Sequence, residues 1–573
     1  MIGCRPVFRT VLLILMVVFS AGITAQDASL LQGTFWTEGT VDEVVERLVD
    51  TLSDDQKVAQ LLLVGWPQER STPELMRWIT ERNIGGVKIF GWNGEDIAIL
   101  ADAIAGMQEA SLRTVNGIPL FTATDQEGGW VRHVKDGTSI TPGNMAVGAS
   151  GLPYDAFQTA YFIGAELRAI GINMNFAPTV DVYVNPEAHV IGPRAFSSDP
   201  IETGLLGTAY FRGLEKARII ATAKHFPGHG NAGGDSHGML PVIEDDWETI
   251  WNRDLVPFRM LVREGIPAIL SGHLSFPRIT GDNAPASISP FFKSEVLRNR
   301  LHYEGIVITD DLYMGGALDY GRSQGWGFPE ICKQAILAGN DMIMLSQTPE
   351  FNGEIWQTLS DGMKNDPAFR TRVEESVRRI LRLKILYLRD DDRVPLFPDG
   401  AEARREMVNQ DAREFFLDQA GRSITVVRGS SIPFIPDDGE RVLLAGKDRD
   451  FFRIGRSRYP NADIFSFAST GFYQSSETDR IRFSRLVDEY DTIIFLLSDP
   501  NSLQVLEGAR SVPDRVIVYS ILTPIYLREL DWVRTAIAAY GWGNESFETG
   551  FAVLRGDYVA GGTLPISIGE EVQ

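Results

Sequence analysis

Short apolar runs recur along the first two thirds of the chain, at intervals that leave room for a helix between them. "LLLVGW" (61–66), "GGVKIF" (85–90), "IPLFTATDQ" (118–126) and "INMNFAPTVDV" (172–182) come first. "IIATAKHFP" (219–227), "PAILSGHLSFP" (267–277), "GIVITDDL" (305–312) and "DMIMLSQ" (341–347) follow. Each run is almost continuously apolar and bounded by Gly, Pro or polar residues, which predicts strands buried on both faces. The connections have helical spacing instead. In "DAFQTAYFIGAELRAIG", before the fourth run, apolar residues return every three or four positions. Eight strands alternating with helices predict an α/β fold, a (β/α)8 TIM-type barrel over residues 40–388.

The pattern changes after "ILRLKILYL" (380–388): "RDDDRVPLFPDGAEARRE" is charged and Pro-rich, and residues 389–412 read as a linker. "DAREFFLDQAGRSITVVRG" then predicts a helix running into a strand, and "RVLLAG", "DTIIFLLS" and "RVIVYSI" predict three more, with helical patterns such as "FSRLVDEY" between them. Residues 413–573 are therefore expected to form a second α/β domain with a layered sheet.

Polar residues gather where five of the barrel strands end: Asp125, Asp181, Lys224 with His225, His273, and Asp310 with Asp311. Taken singly, each is explained as a helix cap or turn former. In a barrel, however, all these ends open on one face, where active sites form. Five together point to a site.

Composition narrows the partners. The 573 residues carry a formal net charge of −22, and an acidic surface repels nucleic acid and anionic membranes. At the N-terminus Arg5 and Arg9 precede an apolar run from Val11 to Phe19, and "ITA" before Gln26 suits a signal peptidase. Residues 1–25 are read as a signal peptide and the mature protein as exported, periplasmic or extracellular; the run is too short to favour a spanning helix, an uncleaved anchor being the alternative. Loss of Cys4 with the leader would leave Cys332 alone, so no intrachain disulfide is expected.

The densest chemistry lies in "AKHFPGHGNAGGDSHGMLP" (223–241), which holds three of the seven histidines. A metal site could use His225, His229 and His237, but no Cys joins them and Lys224 would repel a cation, so no metal or other cofactor is expected. A phosphate cradle needs a glycine-rich loop that opens a helix, and Pro241 follows here instead. Acid/base chemistry explains more. Asp235 and His237 stand two apart, so in an extended segment both side chains project to one side. A carboxylate on one imidazole nitrogen fixes the tautomer and leaves the other to trade protons, while the glycines allow the loop to move over a substrate. A surface loop with an incidental Asp–His contact is the plain alternative. Asp310, at the end of an apolar strand, is the expected partner, able to attack an electrophilic carbon. Asp311 competes for that role, but strand neighbours face opposite ways, so one of the pair should support the wall.

At these residues the sequence resembles glycoside hydrolase family 3, in its β-N-acetylhexosaminidase branch. "KHFPGHGNAGGDSH" matches the branch signature at each fixed position, "TDDLYMGGA" resembles the nucleophile segment, "DQEGG" (125–129) the sugar-binding segment and "IGPRAFSSDP" (191–200) a further binding loop. "TLSDDQKVAQLLLVGW", "DQAGRSITVVRG" and "GGTLPISIG" extend the resemblance over nearly all of the expected mature chain. It implies a retaining glycosidase that releases terminal β-linked N-acetylglucosamine from muropeptides, chitin fragments or other glycans. It further implies Asp310 as nucleophile, His237 oriented by Asp235 as acid/base, and Asp125, Arg194, Lys224 and His225 on the sugar hydroxyls. A phosphorylase, a β-glucosidase of the same family and a non-catalytic glycan-binding protein are the alternatives. The sequence departs from the branch at His133, where an arginine is usual; adjacent Arg132 is a candidate substitute, and Trp130 a candidate stacking platform.

Overall fold

The computed structural model describes residues 30–407, 409–429, 431–468 and 476–569, so the leader read at 1–25 lies outside the described residues. Eight strands close into a barrel: β1 (Leu62–Val64), β2 (Gly86–Ile89), β3 (Phe121–Thr124), β4 (Met174–Asn175), β5 (Ile220–Phe226), β6 (Ala268–Ser271), β7 (Ile306–Asp311) and β8 (Met342–Leu345). Neighbours pair in parallel around the ring, and the register Leu62↔Ile343 joins β8 back to β1. Each of the eight falls within one of the apolar runs. Their residues are buried because helices cover the outside of the ring and side chains fill the inside.

Local signals place the surrounding helices. Thr40 and Glu43 form a capping box at the start of helix Val41–Thr51, and Ser53 with Gln56 does the same for Asp54–Gln60. Helix Pro153–Ile170 begins with proline in its first turn and ends at Gly171 in a left-handed conformation. The stretch read as a linker is not a free tether. It contains the short helix Gly400–Glu406, whose Gly400 amide donates to Asp102, while Arg404 pairs with Asp96.

The second unit is a six-stranded sheet of β9 (Thr425–Gly429), β10 (Val442–Gly446), β11 (Asp463–Ser466), β12 (Thr492–Leu497), β13 (Val516–Ile521) and β14 (Thr535–Tyr540). The spatial order is β9-β14-β13-β12-β10-β11, parallel except for β9. Side chains alternate between two apolar layers: Leu443, Ile493, Phe495 and Val518 enter one, Leu444, Ile494, Leu496 and Tyr519 the other. The first layer also takes in Met145 and Ala149 from helix Asn144–Ser150 and Tyr183, Ile191 and Ala195 from barrel loops, so one face of the sheet packs on the barrel. Among the described residues no helix is long and apolar enough to cross a membrane.

At the floor of the barrel, fully buried Asp341 precedes β8. It accepts from the Val307 amide at 2.9 Å and pairs with Arg298 at 2.7 Å, Arg372 at 2.5 Å and Arg379 at 3.1 Å. Burial alone would raise this carboxyl, but the three guanidiniums outweigh it and hold the group ionised. Two of these arginines lie on the long helix Pro367–Leu388, which the carboxylate thus ties to the strands. Asp341→Ala should destabilise the protein by about 3–5 kcal/mol, because it strands buried cations, and a thermal unfolding midpoint well below wild type checks this.

Candidate active site

The strand ends converge as the barrel topology requires. Asp125 follows β3, Lys224 and His225 close β5, and Asp310 with Asp311 end β7. Lys224 reaches across to Asp125 Oδ1 at 2.5 Å and also pairs with Glu127. Arg194, in the turn Gly192–Arg194, grips Glu127 with two parallel bonds of 2.9 and 2.8 Å. Burial would raise the Glu127 carboxyl, yet Arg194 and Lys224 bring it down to about 2. Glu127 itself is only 1 % exposed. It therefore acts as a base plate that holds both cations in place rather than as a group open to a ligand.

His225 is fixed on both sides. Its Nδ1 lies 2.7 Å from Asp181, and its Nε2 lies 3.0 Å from an Arg194 Nη2 that can only donate. The imidazole is thus the Nδ1–H tautomer, with Asp181 as acceptor. Asp181 also takes the amide protons of His225 and His229, which stiffens the base of the glycine-rich segment. Gly230 is required there, since a Cβ would overlap the carbonyl oxygen of Val182. His229 is buried, lies 3.2 Å from Ser236 Oγ, and is pushed down to about 4 chiefly by burial.

Asp235 and His237 project outward, with His237 Nδ1 2.7 Å from Asp235 Oδ1 and a second bond from the His237 amide to the same oxygen at 3.0 Å. The imidazole side chain remains 65 % exposed. The hydrogen bond to His237 is the main cause drawing Asp235 to about 2, and the hydrogen bond to Asp235 raises His237 above its ordinary value. The backbone of this loop is docked on the segment after β7: Gly315 N donates to His237 O and Gly316 N to Ser236 O, each at 3.0 Å. A Cβ on Gly315 would lie 2.6 Å from the Gly238 carbonyl carbon, so only glycine permits the approach. The loop thereby brings His237 close enough for the Asp310 charge to help raise it.

The paired aspartates separate as strand geometry expects. Asp311 turns into the wall, accepting from Tyr313 N at 3.2 Å and Ser346 N at 3.0 Å. Burial raises its carboxyl, and Asp310 adds to the rise. Asp310 accepts the Asp311 amide at 2.9 Å. Burial would raise it too, but His273, His225, that amide and His237 outweigh the cost and keep it low. Asp310 is thus the more acidic of the two carboxyls. His273 itself bridges Ser287 Oγ at 2.7 Å and the Asp311 carbonyl at 2.9 Å.

The sequence-derived set of Asp125, Arg194, Lys224, His225, Asp235, His237 and Asp310 therefore meets at one mouth. Glu127, Asp181 and Lys88 complete it. Glu127 stood in a quoted motif and Asp181 at a strand end without an assigned part. Lys88 was detectable as the one charged residue in the run "GGVKIF". Arg132 does not take the place suggested for it: its guanidinium donates to the carbonyls of Thr138 and Ser139. Strand alternation turns it away, and His133 faces Asp125 instead, with Nδ1 3.7 Å from Oδ2. Trp130 sits 44 % exposed at the tip of the hairpin that pairs Gln126–Gly128 with Val131–Arg132. Among the described residues no three His, Cys, Asp or Glu stand close enough to share a metal.

The second unit supports this mouth. Ser198 N and Ser197 Oγ donate to Pro565 O at 3.0 and 2.8 Å, Tyr183 N donates to Ser197 O at 3.1 Å, and Asn144 Nδ2 holds the Arg194 carbonyl at 2.8 Å. The loop that carries Arg194 is thus clamped between the barrel and the second sheet.

Comparison with known proteins agrees with the architecture. Beta-hexosaminidase A of Pseudoalteromonas piscicida is 30% identical over 400 residues, which span 66% of this chain and 65% of that protein. A beta-hexosaminidase of Tolumonas auensis is 37% identical over 290 residues, covering 50% of this chain and 81% of the relative. The solved structure of a glycoside hydrolase family 3 beta-N-acetylglucosaminidase from Paenibacillus sp. superposes with a TM-score of 0.80 at 29% identity, covering 91% of this chain and 100% of that one. Residues 53–383 match the model of the glycosyl hydrolase family 3 N-terminal domain, and the chain belongs to that family.

Proposed function

We propose that the protein is a retaining β-N-acetylhexosaminidase that removes terminal β-linked N-acetylglucosamine from glycans outside the cytoplasm. The observation that carries the reading is the docked loop: hydrogen bonds at Gly315 and Gly316 hold the Asp235–His237 pair against the segment that follows Asp310. The relatives named above, hexosaminidases by name, support the substrate class.

In this mechanism Lys224, Asp125 and Arg194 bind the hydroxyls of the terminal sugar, and His225, with its two ring nitrogens taken by Asp181 and Arg194, holds Arg194 in place. The Asp310 carboxylate attacks the anomeric carbon. The glycosidic C–O bond breaks as His237 gives its Nε2 proton to the departing oxygen, leaving a glycosyl ester on Asp310. Neutral His237 then takes a proton from water, which attacks the same carbon and frees Asp310. Two displacements at one centre retain configuration. The hydrogen bond that His237 Nδ1 donates to Asp235 stabilises the imidazolium before the first step and orients the ring in both.

Asp310→Ala should lower kcat for aryl N-acetyl-β-glucosaminides on the order of 10³-fold or more, with Asp311→Ala less damaging; the reverse ranking would exchange their roles. His237→Ala should slow release of a poor leaving group such as a sugar far more than that of a nitrophenolate, read in the first turnover. For a disaccharide substrate, kcat/KM should fall on the acid side only below the ordinary carboxylate range, because Asp310 is held low, and on the basic side only above the ordinary imidazole range, because His237 is raised. Asp235→Asn removes the group that raises His237, so the basic limb should move to lower pH. A limb that stayed in place would separate His237 from proton donation.

A further inference from the structure

We propose that Lys88 and His133 act as a coupled pair: Lys88 positions Asp125 and fixes the His133 tautomer, so that His133 presents an Nε2–H donor to a sugar hydroxyl. The inference rests on the hydrolase reading, in which Asp125 binds substrate.

Lys88 is the third residue of β2, and its side chain is 0 % exposed. A lysine in the wall of a parallel barrel is costly unless each ammonium proton finds an acceptor. Three acceptors are present: Asp125 Oδ2 at 2.8 Å, the Ile89 carbonyl at 2.8 Å and His133 Nδ1 at 3.2 Å. The Phe90 ring, 4.4 Å away, shields the cation further. Because Lys224 holds Oδ1 of Asp125, two buried ammoniums fix both of its oxygens. The carboxylate plane cannot turn, and its remaining lone pairs keep a set direction.

The same contacts decide the tautomer of His133. Its Nδ1 lies 3.2 Å from the Ile89 carbonyl as well, but that oxygen already accepts from Lys88 Nζ and from Thr124 Oγ1 at 3.2 Å, which fills both lone pairs. A proton on Nδ1 would also point at an ammonium. Nδ1 is therefore the acceptor and Nε2 carries the hydrogen, for which no acceptor stands among the described residues. The charged groups facing this imidazole are Lys88 from β2, Asp125 from the end of β3 and Lys224 from β5, with Asp311 acting on Lys88 from β7. Burial and then Lys88 bring the ring down to about 4, so it stays neutral where the enzyme works.

The test compares wild type, Lys88→Leu, His133→Arg and the double variant for kcat and KM on an aryl N-acetyl-β-glucosaminide, alongside thermal unfolding and ¹⁵N-histidine NMR assigned with His133→Gln. Wild-type His133 should show the neutral Nε2–H form between about pH 5 and 8. In Lys88→Leu it should titrate within that range, and kcat/KM should fall about 10- to 100-fold, mainly through KM. His133→Arg should be similarly impaired, with two cations on one carboxylate oxygen. The double variant, with one cation restored at 3.7 Å range, should recover to within about tenfold of wild type. A wild-type Nδ1–H signal, a folded Lys88→Leu with unchanged kcat/KM, or a double variant no better than the poorer single would each overturn the pair. If Lys88→Leu does not fold, the wild-type spectrum still decides. Wild-type protein with no activity on the glycoside would instead sink the hydrolase reading and leave the tautomer result standing.

Discussion

The mouth of the barrel depends on keeping charge in places largely shielded from water. Asp125, Glu127 and Asp181 are carboxylates that burial alone would neutralise, and each stays ionised because a fixed cation or N–H donor lies within hydrogen-bond reach. Lys224 is held by two of them, and Arg194 by Glu127. Removing any one partner would leave an uncompensated charge, so the set behaves as a unit. Under the proposed function, that preorganisation would let a sugar with several hydroxyls bind without rearranging the protein's dipoles.

The rest of the architecture serves to hold these partners. Parallel strands bring Asp125, Lys224 and Asp310 to one rim. The second sheet buttresses the loop that supplies Arg194, through Pro565 and the shared apolar layer that contains Ile191 and Ala195. The glycines at 230 and 315 allow the histidine loop to lie flat against Val182 and against the segment after β7, where Gly238 meets Gly315. The exposed Asp235–His237 pair contrasts with this rigid floor. Lys88, Glu127, Asp181 and Lys224 are buried and fixed, whereas His237 sits on a segment whose Ser236 and His237 carbonyls accept from the amides of Gly316 and Gly315.

Much of this was legible before any coordinates. All eight barrel strands lie inside mainly apolar runs, because a strand covered on both faces keeps its few polar positions for the rim or for a buried partner. In the second sheet the same logic found β9, β10, β12 and β13 and missed two. β11 has three of its four residues exposed, and β14 reads "TAIAAY", whose alanines carry no strand preference. In the site, motif residues were visible while their supports were not. Lys88 acts on Asp125 and Glu127 on Lys224 and Arg194, partners distant in sequence, and only the fold shows the Asp125–Lys224 pair that joins them. The expectation for Arg132 failed on strand alternation, which directs it to the Thr138 and Ser139 carbonyls and leaves His133 beside Asp125.

The central claim is that one carboxylate, and not its neighbour, forms a bond to the sugar. The most direct measurement is peptide mass spectrometry after inactivation with a fluorinated N-acetylglucosaminyl donor, whose ester hydrolyses too slowly to turn over. The account predicts a single glycosyl adduct on Asp310 within the segment Ile306–Met314, and no adduct in Asp310→Ala. An adduct on Asp311, or turnover of an ordinary aryl glycoside with inversion at the anomeric carbon, would contradict it.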